Sequence, residues 1–121
     1  MRPILYLSGP YTSTPDRSTA FNIGVAQGYA VVAWEKGWAA FTPHLNTARF
    51  ERLCKGVTHA DWLAGDLAIL HRLRPGRDAI LMLPHWEQSR GARLEREEAQ
   101  MMELRVYYAD AIAGGVPEVP K

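Results

Sequence analysis

Apolar and polar residues along the chain form two patterns, short continuous apolar runs and longer segments with helical spacing. The clearest run, residues 79–83, stops at Pro84. A polar loop follows, and over residues 91–103 the apolar positions recur with the period of a helix. This order predicts a strand, a loop and a helix. In open parallel sheets the ligand crevice lies at such loops, outside the carboxyl ends of the strands.

The first half of the chain predicts a strand, a helix and a second strand. Residues 4–7 are a short apolar run, which is typical of a strand buried on both faces. Thr14 and Pro15 have the pattern of an N-cap followed by proline at the first helical position, so they predict a helix start. Gly37 predicts the end of that helix, and residues 38–42 predict the second strand.

The second half of the chain continues the alternation. A weak signal over residues 46–54 indicates a short helix, and a clearer pattern predicts a helix over residues 61–70. Residues 105–108 predict a last strand, and a short irregular tail starts at about residue 109. Strands that alternate with helices predict an α/β fold with a mainly parallel sheet.

Glu95 interrupts the apolar face of the helix predicted after residue 91. Ala92, Ala99 and Met102 lie at i−3, i+4 and i+7 from it, so the four side chains share one face. An ionised carboxylate that faces a core is costly unless it has a partner. We therefore expect Glu95 to face a pocket or a buried partner. The alternative, a glutamate at the edge of the stripe that reaches water, stays open.

Composition narrows the class of protein. With 121 residues, the chain is long enough for one core, and 47% hydrophobic with 22% charged residues indicates a folded domain. A net charge of +1 provides no basic surface for polymeric nucleic acid. The only cysteine, Cys54, excludes an internal disulfide, and no apolar run has membrane-spanning length. We expect a soluble cytoplasmic protein that does not bind membranes.

Neither a metal nor a cofactor is predicted. The four histidines, at positions 44, 59, 71 and 85, show no spacing typical of metal ligands, and Cys54 has no partner. The chain has no glycine-rich dinucleotide fingerprint and no Walker loop, which argues against a dehydrogenase or an NTPase.

Polar residues should meet at the carboxyl edge of the predicted sheet. They come from the loop after the first strand, the loop after the second strand, the helix that bears Asp66, and the segment before Glu95. Tyr6 would lie just below the first loop, where its hydroxyl could reach a carboxylate. Two carboxylates, one of them near apolar walls, suit acid/base or glycosyl chemistry. The remaining candidates are Ser8, Gly9, Tyr11, His44, Trp86, Ser89 and Gly91.

The motifs that contain these residues resemble those of the nucleoside 2-deoxyribosyltransferase superfamily. They are Tyr6-Leu7-Ser8-Gly9-Pro10-Tyr11, Pro43-His44, Asp66, and Leu83-Pro84-x-Trp86-x-x-Ser89-x-Gly91-Ala92-x-x-Glu95. The likeness spans residues 4–108 and includes small bacterial and phage members and the 2'-deoxynucleoside 5'-phosphate N-hydrolases. It implies one Rossmann-like or flavodoxin-like, three-layer domain over residues 1–121, with a sheet of four to five strands.

The resemblance also implies roles for individual residues. Glu95 matches the nucleophile that attacks the sugar, Asp66 the residue that handles the proton of the departing base, and Tyr6 the tyrosine that orients the nucleophile. Ser89 and Gly91 resemble contacts to a 5'-phosphate or 5'-hydroxyl, with Gly9 in support. Asp61 competes with Asp66 for the acid role. The loop of residues 12–17 is poor in glycine and arginine, which argues against a strict need for a 5'-phosphate.

Simpler interpretations remain open for several candidates. Tyr6 could be a core residue, and Asp66 could be a solvated helix residue. Ser89 could only cap a helix, His44 could be bonded to the backbone, and Trp86 could either stack on a base or seal a subunit interface.

The function predicted from the sequence is cleavage or transfer at the N-glycosidic bond of a (deoxy)nucleoside or nucleoside 5'-monophosphate, without a cofactor. The alternatives are a non-catalytic nucleotide-binding module and a purely structural protein. A sheet of this size often covers its spare surface by self-association, so we expect a homo-oligomer, most simply a dimer.

Overall fold

The computed structural model describes all of residues 1–121, which form four strands with one or two helices between successive strands. The strands are β1 (Ile4–Ser8), β2 (Ala39–Phe41), β3 (Ala79–Met82) and β4 (Arg105–Tyr108). The helices are α1 (Thr19–Glu35), α2 (Pro43–Asn46), α3 (His59–Leu70) and α4 (Arg90–Met101). Short 3₁₀ turns lie at Phe50–Arg52, Trp86–Gln88 and Ala109–Ala111.

All four strands are parallel and lie in the order β2-β1-β3-β4. This confirms the predicted α/β fold with a small parallel sheet. From β1 the chain moves to one edge of the sheet, at β2, and from β3 it moves to the opposite edge, at β4. The order therefore reverses between β1 and β3, and a doubly wound sheet binds its ligands at such a switch point.

Helices cover both faces of the sheet, so the domain has the expected three layers. Because side chains alternate along a strand, Leu5 and Leu7 point to the face covered by α1, while Tyr6 points to the face covered by α3 and α4. On the α1 side of the sheet, the core contains alanines of α1 and Val116 of the C-terminal segment. On the α4 side, it contains Ala92 and Ala99.

The predicted start of α1 at Thr14 and Pro15 is wrong. The helix starts at Thr19, where Ser18 accepts a hydrogen bond from the Phe21 amide at 3.0 Å. Thr14 instead forms a turn with Arg17 through two backbone hydrogen bonds of 2.8 and 3.3 Å. Proline also suits a turn, so the local pattern did not distinguish the two structures.

The other boundaries differ by less. The helix expected over residues 46–54 is replaced by the four-residue α2 before it and by the turn Phe50–Arg52. Helix α3 starts two residues earlier than predicted, because Thr58 and Asp61 form a capping box. Helix α4 starts at Arg90 with Ser89 as its N-cap.

The C-terminal segment is irregular, as predicted, but it is packed against the sheet. The Trp38 indole donates a hydrogen bond to the Pro117 carbonyl at 2.8 Å, and Lys36 donates to the Val116 carbonyl at 2.8 Å. The side chain of Val116 is buried in the α1 layer. None of the helices combines the length and apolar character needed to cross a membrane.

Candidate active site

Glu95 is a buried carboxylate with two hydroxyl partners. Only 6% of the residue is exposed, as its place on the apolar face of α4 predicts. The Tyr6 hydroxyl donates a hydrogen bond to Oε2, and the Ser8 hydroxyl donates to Oε1 at 2.7 Å. Both donors come from β1, where residues 6 and 8 share the face that α4 covers. The carboxylate is therefore held in one orientation at the switch point.

Burial controls the ionisation of this group. It raises the pKa of Glu95 to about 7, against the hydrogen bonds from Ser8 and Tyr6, which favour the carboxylate. Burial and the charge of Glu95 also raise the pKa of Tyr6, so the phenol keeps its proton and acts as a donor. Glu95 consequently changes its charge close to neutral pH, as expected of a reactive carboxylate.

Asp66 is the second carboxylate of the site. It lies half-buried on α3 and lines the same cavity as Glu95. Burial raises the pKa of Asp66 to about 6. Asp61 is exposed, and its side chain accepts the Thr58 amide at 2.7 Å, a hydrogen bond that lowers its pKa. Of the two candidates for the acid, only Asp66 lies at the cavity.

A cavity of about 540 Å³ opens at the carboxyl edge of the sheet and is here named the switch-point cavity. Its size is within the range of small-molecule sites. Glu95 and Asp66 line it, together with five of the residues predicted to bind substrate, which are Gly9, Tyr11, His44, Ser89 and Gly91. The four polar features predicted to meet at this edge of the sheet do meet there. Ser8 lies below the cavity, where its hydroxyl is hydrogen-bonded to Glu95.

Gly9 is required by a close approach between the first loop and the end of β3. A Cβ atom at this position would lie 2.8 Å from the Cβ of Leu83, too close for any side chain. Gly91 has more space, since its Cβ would lie 3.7 Å from the nearest atom of Leu63. Gly9 thus allows the first loop to lie against the end of β3, whereas Gly91 is not required by a close contact at the start of α4.

His44 and Tyr11 hold the loops of the cavity in place. The Nε2 atom of His44 lies 2.6 Å from the Pro10 carbonyl and so bears the hydrogen, and burial lowers the pKa of this imidazole. This agrees with the simpler interpretation of a histidine bonded to the backbone. The Tyr11 hydroxyl accepts a hydrogen bond from the Arg49 amide at 2.9 Å and donates to Glu51.

The start of α4 forms one wall of the cavity. Ser89 accepts the Ala92 amide at 3.2 Å, so it does act as a cap. The amides of Arg90 and Gly91, at the first two positions of the helix, have no acceptor within it, and their dipoles favour an anion. Arg17 lines the same cavity and donates a hydrogen bond to the Gln88 side chain.

Sequence reasoning missed Arg17 as a site residue. The loop of residues 12–17 is poor in arginine, but its single arginine is among the residues that line the cavity. Glu51, His59 and Trp62 were also missed. Glu51 comes from the connection between β2 and α3, where the sequence pattern is weakest, and His59 and Trp62 lie in the first turn of α3.

Trp86 lies outside the switch-point cavity, contrary to the expected substrate contact. Its ring packs beneath the Arg96 guanidinium at 4.8 Å and against the Tyr108 ring at 5.7 Å. These contacts pack the indole against the α4 layer of the core and the end of β4. No cluster of three or more His, Cys, Asp or Glu side chains is arranged to hold a metal ion.

The fold and site together define a doubly wound α/β protein with a buried, hydroxyl-bonded carboxylate in its switch-point cavity. A family model described as a domain of unknown function, DUF4406, matches residues 3–108, and the chain belongs to this family. No curated protein matches the chain.

Proposed function

We propose that the protein cleaves or transfers at the N-glycosidic bond of a (deoxy)nucleoside or nucleoside 5'-monophosphate. The observation that supports this most is the geometry of Glu95, which is buried at the cavity and oriented by the hydroxyls of Tyr6 and Ser8. The resemblance of these residues to the nucleoside 2-deoxyribosyltransferase superfamily and its N-hydrolases supports the same chemistry.

In the first step of the proposed mechanism, the Glu95 carboxylate attacks C1' of the sugar. A carbon–oxygen bond to Glu95 forms as the carbon–nitrogen bond to the base breaks, and Asp66 supplies a proton to the departing base nitrogen. In the second step a water molecule gives a proton to Asp66 and attacks C1', which releases Glu95. If a second base takes the place of water, the same site performs transfer.

The charges at the start of α4 support a nucleotide with a 5'-phosphate. Arg17 and Arg90 line the cavity beside the free amides of the first helical turn. The composition of the first loop argued against a strict need for phosphate, but one arginine at the right position is sufficient to contact it. We therefore include nucleoside 5'-monophosphates as substrates.

The first experiment is chromatography of free base after incubation with deoxynucleosides and their 5'-monophosphates, each with and without an acceptor base. Glu95→Gln should abolish release, because the amide is not a nucleophile. Glu97→Gln, on the exposed side of α4, is the matched control and should release base at the wild-type rate. Base release that persists in Glu95→Gln would contradict the assigned nucleophile.

A non-catalytic nucleotide-binding module is the second candidate. The raised pKa of Glu95 favours it, since a substantial part of this carboxyl is protonated at neutral pH and is then no nucleophile. Calorimetry that shows nucleotide binding, with no base released over long incubation, would support this alternative over the enzyme.

We also propose that the chain forms a homodimer through α1. Residues 19–34 contain no charged side chain, and Phe21, Val31 and Trp34 are about half exposed. Two copies of such a surface can meet without charge repulsion, and exposed apolar patches commonly mark interfaces. Light scattering at micromolar concentration should give the mass of a dimer, and Val31→Lys should give a monomer. A monomeric wild type would contradict the proposal.

A further inference from the structure

A second cavity, of about 660 Å³, lies on the face of the sheet opposite Glu95. Helix α1 forms one side of it and the C-terminal segment forms the other, and residues 83–85 close it at the carboxyl edge of the sheet. This space is here named the α1 cavity. Its size is within the range of small-molecule sites, and no step of the proposed mechanism uses it.

The walls of the α1 cavity are mostly apolar. Phe21 and Tyr29 line it from α1, and Ile112 lines it from the C-terminal segment. Gly28 leaves space on α1, because a Cβ atom there would meet no other atom within 4 Å. The Tyr29 ring packs so closely on Gly115 that a Cβ atom at that glycine would lie 2.6 Å from it. Apolar contacts on two sides, with two aromatic rings among them, suit a small aromatic body.

Asn22 brings a hydrogen-bond acceptor to this cavity. The residue is only 5% exposed and is one of those that line the α1 cavity. Its Nδ2 atom donates to the carbonyls of Tyr11 and Thr12, at 3.1 and 3.3 Å, which fixes the orientation of the amide. The Oδ1 atom therefore faces away from the first loop, and it accepts no hydrogen bond from the protein. Because buried acceptors are normally paired, this oxygen favours a ligand that donates a hydrogen bond to it.

The charge of the α1 cavity is positive. Arg17, which lines both cavities, is its only permanently charged side chain. The Nη2 atom of Arg17 donates to Gln88, whereas Nη1 and the buried Nε make no hydrogen bond. No Asp, Glu or Lys side chain lines the α1 cavity, and His85 adds a second positive charge when it is protonated. The cavity therefore favours an anion and offers no opposite charge to a cation.

We infer that the α1 cavity binds a small aromatic carboxylate that carries one hydrogen-bond donor. The carboxylate pairs with Arg17, the ring packs between α1 and the C-terminal segment, and the donor bonds to Oδ1 of Asn22. An added ammonium group would have no partner charge, so free amino acids are poor ligands. This ligand is not a nucleotide, and the inference does not depend on the proposed function.

The test titrates the full chain, labelled with ¹⁵N, with indole-3-acetate, an aromatic carboxylate whose indole N–H is the donor. The amide resonances of Gly28, Gly114 and Gly115 should shift and saturate with a Kd of about 1 mM or tighter, as expected for a ligand of this size. The Gly91 amide and the Trp62 indole report on the switch-point cavity and should not shift. Shifts confined to these two groups, or no saturable shift, would overturn the inference.

Two related compounds test the polar contacts. Tryptamine has an ammonium group in place of the carboxylate and should bind about tenfold more weakly or less well still, because it loses the pair with Arg17. 1-Methylindole-3-acetate keeps the carboxylate but has no N–H, so its Kd should rise by about threefold or more, the effect of one hydrogen bond. Equal affinity for all three compounds would show apolar binding alone and would contradict the assigned site.

A variant that fills the cavity tests the location. Gly28→Leu places a side chain in the open space of α1 and should weaken binding of indole-3-acetate by about fivefold or more. Gly65→Leu is the matched control, since Gly65 is an exposed helical glycine of α3 with no atom within 4 Å of its Cβ position and lines neither cavity. Val31→Lys, which should dissociate the proposed dimer, should keep the wild-type Kd because Val31 does not line the cavity. Equal effects of Gly28→Leu and Gly65→Leu would overturn the inference.

Discussion

At the scale of single residues, the ionisation of Glu95 is linked to folding. Burial raises its pKa from 4.5 to about 7, so the folded chain holds this proton over a pH range in which the unfolded chain has released it. Stability should therefore fall as the pH rises from about 4.5 to about 7, by about 3 kcal/mol at about 1.4 kcal/mol per unit. Urea unfolding at pH 5 and pH 8 measures this loss. Glu95→Gln should show a smaller loss, because only the raised pKa of Asp66 still contributes over this range, and an equal loss in both proteins would contradict the assignment.

Tyr6 should act on the site through Glu95. Tyr6→Phe keeps the buried ring but removes a hydrogen bond that lowers the pKa of Glu95, so this pKa should rise above about 7. We expect kcat/KM to fall by about tenfold or more, since hydrogen bonds to charged groups contribute about 1.5–3 kcal/mol. The mechanism needs Glu95 ionised while Asp66, with its pKa near 6, is protonated, so the higher pKa of Glu95 sets the falling limb of the pH–rate profile, and this limb should shift to higher pH.

Tyr29→Phe is the control for this prediction. Its hydroxyl makes no hydrogen bond in the structure, and the residue lies in the α1 layer, away from Glu95. If Tyr6→Phe lowered stability but left the pH–rate profile at its wild-type position, Tyr6 would be a core residue only. That is the simpler interpretation which its place in an apolar strand left open.

At the scale of elements, Ser89 caps α4, and the proposed function gives it a second role as a substrate contact. Ser89→Ala removes the acceptor of the Ala92 amide and should cost about 1 kcal/mol in the free energy of unfolding. Ser89→Asn retains a capping side chain and should restore most of that loss. If Ser89 also contacts the substrate, both variants should raise KM. A wild-type KM in Ser89→Asn would show that the residue is only a cap.

The helix boundaries show which signals in the sequence are sufficient to predict where a helix starts. Ser89 precedes a strongly amphipathic helix, so cap and periodicity agree and the start of α4 was predicted to within one residue. Helix α1 is apolar on nearly every side, so its periodicity did not correct the start predicted at Thr14, and only the structure shows Ser18 as the N-cap. The residues between them form the loop that lines the cavity instead.

At the scale of the whole molecule, topology was predictable and distant contacts between loops were not. Parallel strands bring their following loops to one edge, so the convergence of Tyr11, His44, Asp66 and Glu95 follows from the fold alone. The contacts Arg17 to Gln88 and Tyr11 to Glu51 join residues 71 and 40 positions apart. They depend on loop conformations that no periodic pattern determines.

The C-terminal segment should stabilise the molecule without taking part in the chemistry. Removing residues 114–121 takes Val116 out of the α1 layer and leaves the buried Trp38 indole without its acceptor. An unsatisfied buried donor costs about 1–3 kcal/mol, and the lost apolar contacts add to it, so Tm should fall by about 10 °C. Glu95 lies on the opposite face of the sheet. We therefore expect kcat, measured well below the lowered Tm, to stay within about twofold of wild type.

Trp38→Phe should reproduce part of the loss in Tm, because it removes the donor and keeps an aromatic ring. A large fall in kcat at full folding would instead place this segment in the catalytic machinery.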